Sequence, residues 1–382
     1  MKSLDFQRRM PEASRDLQRR ESLLQRLHVD LPLLLGLVLV SLYGLIVLYS
    51  ACGQDMHYMK RQSVFFVIAY VVLFSVAQLR LHLLEYWAPW VYTGGVALLV
   101  LVLVMGVGAK GAQRWLSLGG FRFQPSEILK LAVPLMLASY LARRILPPSF
   151  KHVFWAMVLI GLPTLLILKQ PDLGTSLLIA SSGLLVLFFS GLPWRYIFGA
   201  VGVVLASAWP FWHFVLREYQ KQRILTLLDP EADKLGAGWN IIQSKTAIGS
   251  GGIYGKGWLN GTQSQLDFLP ESHTDFIIAV LAEEFGLVGI LLLLTLYIWI
   301  IGRGFMIAGR AQSSFGRLLA GSITFTFFVY IFVNIGMVSG LLPVVGVPLP
   351  LVSHGGTSIV TLMMGFGMLM AIGTEKRKVT VG

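Results

Sequence analysis

Apolar runs long enough to cross a bilayer recur from near the start of this chain to near its end, and they leave little freedom of fold. A spanning helix needs roughly 20 apolar residues. Ten segments approach that length: 30–50, 62–79, 88–108, 126–144, 153–168, 174–190, 196–215, 275–301, 317–340 and 356–373. Lipid offers no hydrogen-bond partner to a bare backbone, so consecutive apolar runs of this length must be helical. The expected fold class is an all-α polytopic integral membrane protein. It has about ten transmembrane helices and one long periplasmic loop between helices seven and eight. Composition agrees: 55% of residues are hydrophobic, 13% are charged, and mean hydropathy is +0.71.

The net charge of +12 would suggest nucleic acid on a soluble protein. Here the Lys and Arg residues fall mostly in loops between apolar runs, so topology and anionic membrane lipid explain them, with no nucleic-acid partner. With the N-terminus inside and alternating spans, the inner segments hold 18 Lys and Arg and the short outer loops hold 6. The expected organisation follows. Residues 1–29 form a cytoplasmic tail, 30–373 the transmembrane domain with its outer loop at 216–274, and 374–382 a cytoplasmic C-terminal tail. Residues 1–29 are too charged for a cleavable signal. The lone Cys52 excludes an intramolecular disulfide and a thiolate metal cluster.

Polar residues in or beside apolar runs are expensive and are functional candidates. Asp275 closes the segment Leu269-Pro270-Glu271-Ser272-His273-Thr274-Asp275 and leads straight into an apolar run. Two readings are compatible there. Ser272-x-x-Asp275 matches a capping box, and a fixed carboxylate at a membrane mouth suits a general base. A second group comprises Arg114, Gln124, Glu127 and Lys130. Glu127 and Lys130 are three apart on a helix that opens at Pro125, so they share a face and can pair. That pair is either structural or lines an outward-opening polar cavity, with Arg114 as a phosphate clamp. Glu283 and Glu284 read as structural partners of a cation or a hydroxyl, Asp172 as a helix cap, and His354 as a hydrogen-bonded loop residue. The outer loop turns glycine-rich, with Gly249, Gly251, Gly252, Gly255, Gly257 and Gly261. No P-loop, dinucleotide fingerprint, zinc motif or Gly-x-Ser-x-Gly elbow is present.

Several segments together carry a resemblance. They are Lys110-Gly111-Ala112-Gln113-Arg114-Trp115, Phe123-Gln124-Pro125-Ser126-Glu127, Gln170-Pro171-Asp172-Leu173-Gly174-Thr175-Ser176, Gly236-Ala237-Gly238, the run from Gln243 to Glu284, and Asn334 to Gly356. The chain resembles the SEDS family (shape, elongation, division and sporulation) of bacterial peptidoglycan glycosyltransferases, over about Leu31 to Gly373. Gly261-Thr262-Gln263-Ser264-Gln265 looks like the family's elongation branch. One departure is His354, where the family usually has Tyr.

The resemblance implies ten transmembrane helices in the bacterial cytoplasmic (inner) membrane. It implies polymerisation of lipid II, an undecaprenyl-diphosphate-linked substrate, on the outer face during elongation and rod-shape maintenance. It also implies a class B penicillin-binding protein as partner. Asp275 matches the family's essential aspartate, and Arg114, Glu127 and Lys130 match its cavity-lining polar groups. A divalent cation (Mg or Mn) is an expected aid to diphosphate chemistry, with ligands unknown. Two other classes remain open at this point, a lipid II flippase and a non-catalytic scaffold of the wall-synthesis complex.

Overall fold

The computed structural model describes residues 28–109, 112–118, 121–215, 218–233, 237–265 and 271–375. Most of the two expected tails lies outside the described residues. The helices begin where the sequence provides caps. In α1 (Leu31–Ala51), Asp30 accepts from the Leu33 amide at 3.1 Å and proline sits in the first turn. In α2 (Met56–Ala77), Asp55 accepts from the His57 amide at 2.7 Å. Both caps satisfy amides that a helix start leaves open.

The chain continues through α3 (Leu81–Met105) into a three-stranded antiparallel meander. This consists of β1 (Val107–Ala109), β2 (Ala112–Leu118) and β3 (Phe121–Phe123). The ribbon adds a strand element to the expected all-helical class; it occupies the connection that follows the third span. Next come α4 (Pro125–Ala142), α5 (Phe150–Lys169), α6 (Leu173–Phe189) and α7 (Trp194–Pro210). The long connection after α7 carries α8 (Glu218–Leu228), α9 (Ala237–Gly251) and a one-turn α10 (Thr262–Gln265). Three long helices close the fold: α11 (Ile277–Arg310), α12 (Ser314–Val338) and α13 (Gly356–Gly373).

Each of the ten predicted segments lies on a helix. Among the described residues, seven helices are long and apolar enough to cross a membrane: α1, α2, α3, α5, α11, α12 and α13. The helix α4 carries Glu127 and Lys130, and α6 and the apolar part of α7 are shorter than a full span. The bundle centre is α4, buried on nearly every side by α3, α6 and α12. Leu129, Ala132, Val133, Leu137 and Leu141 are completely buried there. At one end of the bundle Arg303 forms a two-pronged pair with Asp30, at 2.9 Å from Nε and 2.7 Å from a terminal nitrogen. The His28 ring nitrogen meets the Thr374 hydroxyl at 2.9 Å at the same end.

The helix α11 breaks at Gly286, whose φ is 63° and ψ is −159°. A break leaves backbone groups without intrahelical partners. The glycine-rich segment after α9 supplies them. The Lys256 and Gly257 amides donate to the Glu283 and Glu284 carbonyls at 2.9 and 3.0 Å. The Leu287 and Val288 amides donate to the Gly252 and Ile253 carbonyls at 3.0 and 3.1 Å. Backbone meets backbone, and a Cβ on Gly255 would sit 2.1 Å from the Glu284 carbonyl oxygen. This contact accounts for Gly251 and Gly255, which face the backbone of α11 directly.

Candidate active site

Asp275 does not act in a capping box. The helix α11 starts at Ile277, with Phe276 as its cap residue and no side-chain cap bond. Ser272 instead donates to the Ala51 carbonyl at 3.2 Å. The cause is a tight turn over 271–276, in which the Thr274 and Phe276 amides both donate to the Glu271 carbonyl at 3.2 Å. Asp275 is thus a turn residue just before the cap Phe276, half-buried at the helix mouth.

Three bonds fix this turn to α12 and to the segment that follows it. The His354 amide donates to the His273 carbonyl at 2.9 Å. The Ser353 hydroxyl donates to the Thr274 carbonyl at 2.5 Å. The Asn334 amide nitrogen donates to both the Asp275 carbonyl, at 2.9 Å, and the Val347 carbonyl, at 2.7 Å. The carboxylate lies toward Gly346, where a Cβ would be 3.4 Å from Oδ2. Asn334 is completely buried and was missed as a site residue. Its signal was a lone amide within the apolar run of α12.

Glu127 and Lys130 pair inside the bundle as their spacing predicts, with Nζ to Oε1 at 2.7 Å and both side chains buried. The ammonium also lies 5.5 Å from the centre of the Tyr330 ring. The second Glu127 oxygen and the Thr326 hydroxyl have no hydrogen-bond partner among the described residues. Both residues line a small cavity with Lys130, Tyr330, Ser358 and Thr361. Polar groups left open in this way are satisfied by water or by a ligand group. Tyr330 and Asn334 are four residues apart on α12, hence about 6 Å apart on one face. The ion pair and the Asp275 turn are therefore attached to successive turns of a single helix.

Gln124 precedes α4 and its side-chain nitrogen lies 3.4 Å from Asp172 Oδ2. Asp172 also caps α6 by accepting from the Thr175 amide at 3.2 Å, as expected. Arg114 is the extra residue of a β-bulge, since Gln113 pairs with Gly108 and Trp115 with Val107. Its side chain lies outside the described residues.

Glu283 and Glu284 take the structural roles expected of them. Glu283 pairs with Lys256 at 2.7 Å and accepts from the Thr262 and Gln263 amides. Glu284 accepts from the Ser50 hydroxyl. His354 is bonded through its backbone, but its buried ring Nδ1 has no partner. Burial, with His273 and Arg61 as positive neighbours, holds its pKa below the ordinary 6.5. Among the described residues no three His, Cys, Asp or Glu side chains gather to hold a metal ion.

A buried ion pair, an open cavity and a rim carboxylate on a membrane bundle define a polytopic membrane protein with a polar site at one face. The comparisons specify the class further. The profile of the FtsW, RodA and SpoVE cell cycle proteins matches residues 23–378, and the chain belongs to this family. It is 56% identical over 352 residues to the peptidoglycan glycosyltransferase MrdB of Escherichia coli K12, covering 92% of this chain and 95% of that protein. It is 35% identical over 362 residues to a protein of Geobacter metallireducens named "Probable peptidoglycan glycosyltransferase FtsW", covering 91% and 95%. Among solved structures, a chain of a peptidoglycan synthase complex coordinating polymerization and crosslinking superposes with a TM-score of 0.80. It is 31% identical, with 90% of this chain and 97% of that one covered. The rod shape determining protein RodA of Thermus thermophilus gives 0.68 at 28% identity, covering 90% and 96%. The chain is a multi-pass bacterial inner-membrane protein.

Proposed function

We propose that this chain is a peptidoglycan glycosyltransferase that polymerises lipid II on the outer face of the inner membrane during cell elongation. The observation that carries the activity is the 56% identity to MrdB along 92% of the chain. The proposed organisation has ten crossings, both tails in the cytoplasm and the connection from 216 to 274 outside. Parity supports it: the His28–Thr374 bond puts both ends of the described chain at one end of the bundle. An even number of crossings is then expected, with the seven strong spans joined by shorter ones.

Asp275 is the general base. It takes the proton from the acceptor sugar's 4-hydroxyl as that oxygen bonds to the donor's anomeric carbon. The carbon–oxygen bond to the diphosphate breaks, and the diphosphate leaves with the electron pair. Arg114 and Lys130 stabilise the charge that develops on it, while Glu127 orients Lys130 through the 2.7 Å bond. Gln124 belongs to the substrate-binding group through its place at the start of α4. A single carboxylate suffices because inverting attack forms no covalent sugar–enzyme intermediate. The apolar crevice lined by Met157, Leu184, Phe188, Ile197, Val201 and Val329 suits the polyprenyl tail.

The partner reading is a class B penicillin-binding protein that crosslinks the new strands. It is supported by the likeness to a chain of a synthase complex. The test is polymer formation from purified lipid II with the partner present. Wild type is expected to make glycan, and a folded Asp275→Asn protein none. Normal polymerisation by Asp275→Asn would remove the base assignment, and no polymer from a well-assembled wild type would restore the flippase and scaffold readings.

A further inference from the structure

Three rings meet at the outer rim and take no part in the chemistry above. Tyr58 on α2 lies 5.4 Å from His273 and 5.4 Å from His354, centre to centre. His273 and His354 are 6.2 Å apart. All three are half-exposed, so the cluster has an open side. They come from three separate parts of the chain, and a backbone bond from the His354 amide to the His273 carbonyl pins the two histidines together. That contact and the Ser353–Thr274 bond beside it are the ones that hold the Asp275 turn. The ring cluster and the candidate base are parts of a single rigid rim.

An aromatic ring offers an apolar face with a negative quadrupole, and Tyr and His add a polar edge. A pyranose ring is the complementary surface, with C–H groups on its faces and hydroxyls around its edge. The His354 Nδ1 is shielded and has no hydrogen-bond partner among the described residues, so the exposed part of the ring, rather than this nitrogen, is what a sugar would meet.

We propose that Tyr58, His273 and His354 form the platform on which a sugar of the substrate rests, so that its hydroxyl edge is presented to Asp275. The inference rests on the glycosyltransferase reading and names three positioning residues for it. The rings act by binding and orientation; none exchanges a proton with the substrate.

The test uses the full-length protein in lipid nanodiscs with its transpeptidase partner and purified lipid II, and measures KM and kcat separately. Tyr58→Ala and His354→Ala are expected to raise KM by about fivefold or more, on the scale of a lost ring contact, with kcat changing less. Tyr58→Phe and His354→Tyr keep a ring and are expected to restore KM. Unchanged KM in both alanine variants overturns the platform, as does a loss confined to kcat, or ring-keeping variants as poor as the alanines. A direct measurement stands beside the kinetics: saturation-transfer NMR on wild type with the soluble disaccharide of N-acetylglucosamine and N-acetylmuramic acid. Transfer to the sugar's ring protons that falls in Tyr58→Ala is expected, and no transfer to wild type overturns the proposal even where variants fold poorly. Absence of polymer from wild type is a failure of the glycosyltransferase reading instead, and the NMR arm still decides the platform.

Discussion

Glu127 and Lys130 raise the sharpest question at the level of single residues, because a buried ion pair is weak proof of either stability or function. Removing one member strands the other charge, so Lys130→Ala is expected to cost on the order of 3–5 kcal/mol. The double change Glu127→Gln with Lys130→Met removes both charges and is expected to recover most of that stability in a detergent melting assay. Polymerisation should stay lost in the double variant, since the cation at the diphosphate is gone; normal glycan synthesis would make the pair structural only. His354 gives a pH prediction. Its folded pKa is depressed, so as pH falls below 6.5 the unfolded chain gains a proton that the folded chain resists. Stability is complete above 6.5 and falls through the window down to the depressed value. His354→Tyr is expected to flatten that acid limb in melting curves, and an unchanged limb would assign it to other groups. These residues were legible to different degrees. The Glu127–Lys130 contact followed from three-residue spacing on a helix. Asn334 did not, because its two acceptors are carbonyls 59 and 13 positions away, which local pattern cannot locate.

The break in α11 shows what an element can and cannot reveal about itself. Sequence gave a long apolar run after Asp275 and a dense set of glycines before it, as separate facts. The structure joins them: segment 252–257 inserts at the break and satisfies four backbone groups there. A Cβ on Gly255 or Gly286 would lie 2.1 Å or 2.4 Å from backbone atoms of the opposite segment, and both residues have positive φ. Gly255→Ala and Gly286→Ala are therefore expected to cost on the order of 3 kcal/mol or more. Gly249→Ala is the control, since nothing lies within 4 Å of its added carbon. Its melting midpoint should hold or rise slightly, because alanine is the better helix former. Equal midpoints for all three would mean that the two segments are not in register. The same tertiary contacts explain why the capping pattern at Ser272 misled. Local spacing favoured a helix starting at Ser272, but bonds from Asn334 and Ser353 hold 271–276 as a turn.

Taken whole, the molecule has chemically distinct ends. One carries the Arg303–Asp30 pair and the His28–Thr374 contact, and the two chain ends that lead from it are rich in Lys and Arg. The other carries the β-ribbon, α9 and the Asp275 turn. Positively charged loops are retained on the cytoplasmic side, so the first end should face inward and the site outward. The apolar stretch of α7 covers only Trp194–Ser207, and an even number of crossings predicts that short helices such as this one cross. A labelling experiment tests orientation and parity together. In a Cys52→Ala background, single cysteines go in at Arg195, before α7, and at Glu231, after it, with Gln312 as a second inner position between α11 and α12. A membrane-impermeant maleimide applied to spheroplasts is expected to label Glu231→Cys. Arg195→Cys and Gln312→Cys should react only after permeabilisation. Labelling of Arg195 and Glu231 from the same side would show that α7 does not cross, and the reversed pattern at all three would place Asp275 in the cytoplasm. The reversed pattern would leave a polymerase of exported lipid II without access to its base.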